Sequence, residues 1–447
     1  MRQFCLVLAA LAAISGPAAA VTDAERVQVY HEFRAAFDAH QFDKALPIAR
    51  HLVQMTEEQY GPNDRALVNP LSNLGTTEYR LHDYKSAEQS YLRGVKIVED
   101  SGGGADKLMM RPLHGLGATY LATQQYDEAS VALKRALDLS RNLDGLFNAQ
   151  QVPILDPLIT SLVELERHDE AEREFQYSVR VAENVYGKQD AHVLRPLDRY
   201  ARWLERMGRY TTARVLHAQA LSIAEQAGGQ QSLMTVGPLT GIARTYRLEF
   251  VNGPEEGAPA PTDSFVDSAN DYMPSVLTSQ RVNPDGERAA AMAVQVVEKH
   301  QPVDHELLGI TLLELGDWYL CGGLTPRALQ VYGEAWKQLS AGGSTAPLDT
   351  PRQLAYRAPN NSITRSKLNP DNADEHFVEV TFTVTKEGRT ADLVTTGSDA
   401  PESQQKFVVT AIKRARYAPR FADGAPVDTP GVKWRERLLL KKPKNGG

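Results

Sequence analysis

Few side chains in this sequence stand at spacings that could do chemistry. Gly115-x-Gly117 supplies the first two glycines of a dinucleotide-binding turn, where bare backbone would approach a pyrophosphate. The third glycine is missing, and the pair lies on an apolar helical stripe. His300 and His305 flank a loop with Pro302 and Asp304. Two imidazoles and a carboxylate could hold a metal, but solvated loop histidines explain the pattern without one. Asp371, Asn372, Asp374 and Glu375 gather oxygen atoms of the kind calcium takes, or form an acidic approach to a strand. No nucleophile elbow or phosphate loop is found. No catalytic residue, cofactor-binding residue or metal ligand is therefore assigned, no cofactor is expected, and the chain is read as a non-enzyme. An envelope enzyme with an unannounced site is the third-ranked alternative.

The elements that would position any such group follow from a strict period. Ala45, Ala87, Ala129, Ala171 and Ala213 stand 42 residues apart, each three residues after Phe42, Tyr84, Tyr126, His168 or Tyr210. Within each period apolar residues step by three, four and seven, as in Leu113, Leu116, Gly117, Tyr120 and then Tyr126, Ala129, Leu133, Ala136. That spacing places them on one stripe of a helix. Each period therefore predicts two antiparallel helices, and a copied unit of this size predicts a stacked array. His168 falls in the ring slot of its unit, so packing accounts for it. Pro70, Pro112, Pro196 and Pro238 recur in phase, where a first helical turn tolerates proline.

Leu113-x-x-Leu-Gly-x-x-Tyr120 and Ala87-x-x-x-Tyr91 resemble the tetratricopeptide repeat, in the longer form of kinesin light chains. The usual repeat is about 34 residues, so this one carries roughly eight more. The expected fold is mainly α, a solenoid of helix pairs over residues 21–345, with an irregular insertion at about 249–286 rich in Gly and Pro. A sixth unit opens at Leu239 and breaks there. Helix resumes near Glu287, and a seventh unit runs from Leu312 to Ala335. The resemblance implies that first helices line a groove. Its arginines would be Arg34, Arg80, Arg111, Arg195, Arg202, Arg206, Arg244 and Arg247, and its acids Asp38, Asp156, Glu164, Asp198, Glu205 and Asp317. Eight against six leaves +2. Arginine's planar fork suits carboxylates. The partner-binding candidates are Arg80, Arg111, Arg195, Arg202, Arg206, Arg244 and Arg247, facing an acidic segment of a protein partner. The alternative is that they pair with neighbouring acids.

Past residue 346 the period changes. A Pro- and Asn-rich linker is expected over 346–373, followed by alternation at Val378, Val380, Phe382 and Val384. That is a half-buried strand. A turn at Lys386–Arg389, a second strand from Ala391, a helix through Ala411-Ile412 and a closing strand through Trp434 complete an α+β order of strand, strand, helix, strand. Val380-x-Phe382-x-Val384, Gly388, Arg416-Tyr417-x-Pro419 and Gly424-x-Pro426-Val427 resemble the C-terminal domain of TonB and related energy transducers, over residues 374–441. The resemblance implies a periplasmic module that binds an envelope or outer-membrane protein by pairing strand edges. Residues 442–447 form a basic tail.

Arg2, the apolar run Phe4–Ile14 and Ala18-Ala19-Ala20 read as a cleavable export signal over residues 1–20. The run is too short to span a bilayer, which takes about 20 apolar residues. The full chain carries 49 basic and 56 acidic residues, a charge of −7, or −8 without Arg2, which argues against a general nucleic-acid binder. Of two cysteines only Cys321 follows the signal, so no internal disulfide is expected. Cys321 is either a half-buried small hydrophobe or a redox handle. The reading is a non-catalytic periplasmic interaction scaffold. The alternative is an accessory of a TonB-type energy-coupled outer-membrane transport system.

Overall fold

All five periodic alanines are 0% exposed, and the helices around them follow the period. The computed structural model describes residues 22–102, 106–253, 283–363 and 373–442. The expected signal, most of the insertion at 249–286 and nearly all of the basic tail lie outside the described residues. The chain divides into two units, Met1–Val185 and Tyr186–Gly447, and each is taken by itself.

The first unit contains α1 (Asp23–Asp38), α2 (Phe42–Tyr60), α3 (Val68–Arg80), α4 (Tyr84–Asp100), α5 (Met110–Ala122), α6 (Tyr126–Asp144), α7 (Val152–Glu164) and α8 (His168–Tyr186), whose last residue opens the second unit. They pair as α1 with α2, α3 with α4 and α5 with α6, and the first helices α3, α5 and α7 lie side by side. The turn inside each pair places one residue in the left-handed region: His40, His82, Gln124 and Glu166 here, Gly208 in the second unit. A second in-phase column starts the first helices. Asp64, Asp106 and Asn148 accept a backbone N–H two residues on, as Asp190 and Ser232 do in the second unit. Such caps satisfy donors that a helix start leaves unpaired.

Rings fill the space that glycines leave. Tyr91, 3% exposed, lies against both Gly75 and Gly115, and any side chain on either would overlap its ring. Gly115 thus serves packing and cradles no phosphate.

The second unit continues with α9 (Leu194–Arg206), α10 (Tyr210–Gly228), α11 (Val236–Asn252), α12 (Pro284–Lys299), α13 (His305–Cys321) and α14 (Thr325–Ala341). The sixth repeat is completed, because α12 packs on α11 as its second helix. Next come β1 (Arg352–Ala355), β2 (Ala373–Val384), β3 (Thr390–Ser398), α15 (Glu402–Arg414), β4 (Arg416–Ala418), β5 (Arg420–Ala422), β6 (Ala425–Val427) and β7 (Thr429–Lys441). An antiparallel sheet has the order β3-β2-β7, while β1 pairs with β4 and β5 with β6. Val378, Val380, Phe382 and Val384 are buried with Val408 and Ile412 of α15 and with Leu438, as their alternation predicts. The fold is therefore a tetratricopeptide-type helix-pair array followed by a small α+β region.

The expected linker is corrected. Residues 352–355 form β1, and residues 361–363 run beside β7 through Ile363 N–H to Arg437 O (2.9 Å) and Leu439 N–H to Asn361 O (2.8 Å). Glu436, buried in β7, accepts from Tyr356 Oη (2.5 Å), Trp434 Nε1 (3.0 Å) and Ser362 Oγ, pinning that stretch. Leu348, Leu354, Ala418 and Phe421 share one apolar cluster with α11 to α14. The sheet region is thus packed onto the last helix pairs. At Gly388 (φ 74°) a Cβ would collide with Tyr417 O, so glycine is needed there for the turn and for the close approach.

Candidate partner-binding surface

In the first unit the polar face of the first helices is lightly engaged. Arg111, exposed, donates from Nη2 to Asn73 Oδ1 (2.8 Å) across from α5 to α3. Arg80 is exposed at the end of α3 and makes no ion pair among the described residues. Arg34 pairs with Asp38 one turn away (3.0 Å). Burial pushes the His114 imidazole below its usual value, against the contrary effect of its hydrogen bond to Pro153 O (3.2 Å).

In the second unit the arginines divide into two groups. Arg195, Arg202 and Arg206 are exposed on α9. Arg202 sets its Nε between both carboxylate oxygens of Asp198 (2.9 Å each). Arg206 makes no ion pair among the described residues.

Arg244 and Arg247 are corrected. Arg247 is 6% exposed, and neither guanidinium is free for a partner. Arg244 Nε donates to Glu205 Oε2 (2.7 Å) and its Nη1 to Glu314 Oε1 (3.3 Å). Arg247 Nη2 donates to Glu314 Oε2 (3.3 Å) and stands 3.8 Å from Asp317 Oδ2. Asp317, wholly buried, receives both Nη atoms of Arg352 from β1 (2.6 and 2.7 Å) and Tyr332 Oη (2.8 Å). At the other end His217, buried over Gly241, bonds Glu205 through Nε2 (2.8 Å). Three arginines thus balance three carboxylates, counting Arg244, Arg247 and Arg352 against Glu205, Glu314 and Asp317. Strand β1 lies against α11 and α13, so the chain's own strand covers that stretch of the first-helix face.

Glu314 and Arg352 went unread in the sequence. Arg244 with Arg247 and Glu314 with Asp317 are each spaced by three, which is a usable signal for two facing helices. Arg352 gave none, since it stands 35 residues past Asp317 in a proline-flanked stretch.

Burial pushes the Glu205 carboxyl up, but the His217 hydrogen bond and the Arg244 charge outweigh it and hold it below its ordinary value. Glu314 behaves alike, with burial opposed and overcome by Arg247 and Arg244. A carboxyl depressed in the folded state stabilises fully above its unfolded value, about 4.3, and loses that contribution as pH falls through the folded value. The melting temperature should hold from neutral to about pH 5 and then fall. Glu205→Gln should lower it at neutral pH and narrow its gap from wild type on acidification. Melting curves across pH check this, and a gap that stays constant contradicts it.

His305 Nδ1 bonds Gln338 Oε1 (2.8 Å), and His300 Nδ1 lies 3.3 Å from Pro302 O. Asp374 and Glu375 belong to β2, where Glu375 pairs with Arg437. Asp371 and Asn372 lie outside the described residues. Among the described residues no group of three potential metal ligands gathers, and no helix is long and apolar enough to cross a membrane. Cys321 is half-buried, and burial raises its thiol to about 11, which suits the small-hydrophobe reading.

A tetratricopeptide-repeat family profile matches residues 34–100 and 154–248. Among solved structures, similar chains include the TPR-like repeats of a Podosopora anserina kinesin light chain (14% identity, 45% of this chain and 96% of that one, TM-score 0.42). Others are the apo form of the quorum sensor NprR from B. thuringiensis (10% identity, 72% and 85%, TM-score 0.38) and the TPR2AB domain of yeast Sti1 in complex with pHSP90 (13% identity, 73% and 96%, TM-score 0.26). A search of curated proteins found no match.

Proposed function

We propose that this tetratricopeptide-repeat protein is a non-catalytic scaffold that holds an acidic segment of a protein partner on the exposed arginine face of α9. The observation that carries the reading is the contrast between two arginine sets. Arg244 and Arg247 are consumed inside the protein, whereas Arg202 and Arg206 project from α9, with Arg206 unpaired by any acid among the described residues. Among the described residues Arg202 is held by the half-buried Asp198 one turn away. A surface pair of this kind contributes about 0.3–0.5 kcal/mol, so a partner carboxylate competes for it at little cost. Arg80 and Arg111 are exposed on α3 and α5 of the first unit.

Two further elements belong to the reading. The Arg2, apolar-run and Ala18–Ala20 pattern supports export and a periplasmic location. The β3-β2-β7 sheet carrying α15 supports the TonB-like reading of residues 374–441 as a second partner-binding module.

A photo-crosslinking residue placed at position 206 should capture a partner in cells, through a segment rich in Asp and Glu. The same residue at Gln226, exposed on α10, should not. Arg202→Glu, introduced into the position-206 crosslinking chain, should cut the crosslinked yield by about tenfold or more, since like charges replace attraction. Equal yields from 206 and 226 would remove the proposal.

A further inference from the structure

The two edges of the C-terminal sheet are built differently. On the β7 side, residues 361–363 occupy backbone positions opposite Arg437–Leu439, and the strand carries Pro430, Lys433, Arg435 and Arg437. Proline and cations on an edge are devices that discourage pairing with another chain. The β3 side has neither, but its register with β2 shifts at two places, near Asp392 (φ 51°) and near Thr396, each two residues from Val394. From Thr390 to Ser398 its one charge is Asp392, and β2 is its only strand neighbour among the described residues. Val394 sits in the middle, 59% exposed, with Thr395 and Thr396 exposed beside it.

We propose that two copies of this chain pair antiparallel through β3, with Val394 on the two-fold axis, so that their sheets join into one. Charge selects both the occupant and the register. Positions equidistant from Val394 face one another across the axis, and Arg389 lies five residues before it while Asp399 lies five after. Each copy therefore sets Arg389 against Asp399 of its partner, twice over. Asp392 meets Thr396, Ala391 meets Gly397, and no like charges stand opposite. Opposite charges across an antiparallel pair stabilise it, and like charges oppose it. Arg389 is exposed and makes no ion pair among the described residues; Asp399 accepts Phe377 N–H (2.7 Å) yet keeps a half-exposed carboxylate. The two Val394 side chains cover each other. Because residues 361–363 take part of the opposite edge, pairing at β3 is isologous and closes at two copies instead of propagating.

Sedimentation of the full chain over a dilution series tests the pairing. Wild type should move from dimer to monomer mass on dilution. Val394→Lys, which sets two cations on the axis at an already exposed position, should weaken the dimer at least about tenfold, with an unchanged melting curve at dilutions where both proteins are monomers. Arg389→Glu should weaken it, and adding Asp399→Lys should restore it, an outcome that a change in folding alone does not give. In a Cys321→Ser background, Val394→Cys should form an interchain disulfide under mild oxidation, because directly opposed strand residues lie within disulfide reach. Monomer mass at every concentration, a dimer indifferent to Val394→Lys, or no crosslink at position 394 would each overturn the proposal.

Discussion

Asp317→Ala should cost about 3–5 kcal/mol of stability in the second unit, the usual effect of removing one partner from a buried ion pair. The carboxylate has no exposed surface, and it receives two nitrogens of Arg352 together with the Tyr332 hydroxyl. Its loss leaves the buried Arg247 short of one counter-charge, the buried Tyr332 phenol without its acceptor, and Arg352, itself 38% exposed, without its carboxylate. Attraction alone would not give so large a figure, because desolvation offsets much of it. The uncompensated cations produce the loss. The paired change Asp317→Leu with Arg352→Met should therefore recover most of the stability. Denaturant unfolding of the three proteins measures this; a double variant no more stable than Asp317→Ala would show that the ion pair is worth more than its desolvation.

Tyr91→Ala should cost about 3–5 kcal/mol in the first unit, the range for emptying a buried aromatic site. The ring is shared between Gly75 of its own repeat and Gly115 of the next, and its hydroxyl meets Thr76 Oγ1 at 3.0 Å. Glycine on both sides leaves no side chain able to lean into the gap, so the cavity stays open. Tyr91→Phe should cost only about 1 kcal/mol, since Thr76 keeps its bond to Ser72 O (2.7 Å). Adding Gly115→Leu to Tyr91→Ala should restore part of the loss, although the same change alone should destabilise by overlap with the ring. Additive losses in the double variant would contradict this packing.

The features legible in the sequence are those that repeat in residue type. Ala45 to Ala213 mark the helix pairs because the same small side chain recurs, wholly buried, in each of them. The cap column at Asp64, Asp106, Asn148, Asp190 and Ser232 is just as periodic, yet it escaped notice because three residue types do one task. The left-handed column escaped for the same reason, with His, Gln, Glu and Gly sharing one backbone conformation. The alternation from Val378 to Val384 disclosed β2, whereas β4, β5 and β6 at three residues each are too short to show a period. β1 was hidden by the prolines beside it. The candidate arginines were legible as positions but not as states. Whether Arg247 is free or buried depends on Glu314, 67 residues away, and on the cover that β1 supplies from further still.

The apolar cluster that joins the sheet region to the last helices bears on how such a chain could have been assembled. Phe421 meets Tyr332 edge-on at 6.3 Å, and a Cβ at Gly424 would come within 3.3 Å of the Trp336 ring. A gene fragment encoding only the strands and α15 would lose those contacts, together with Tyr356 and Ser362, which anchor Glu436. Recombination could therefore transplant this region between proteins only if α13 and α14 travelled with it, and descent should keep the two inherited as a block.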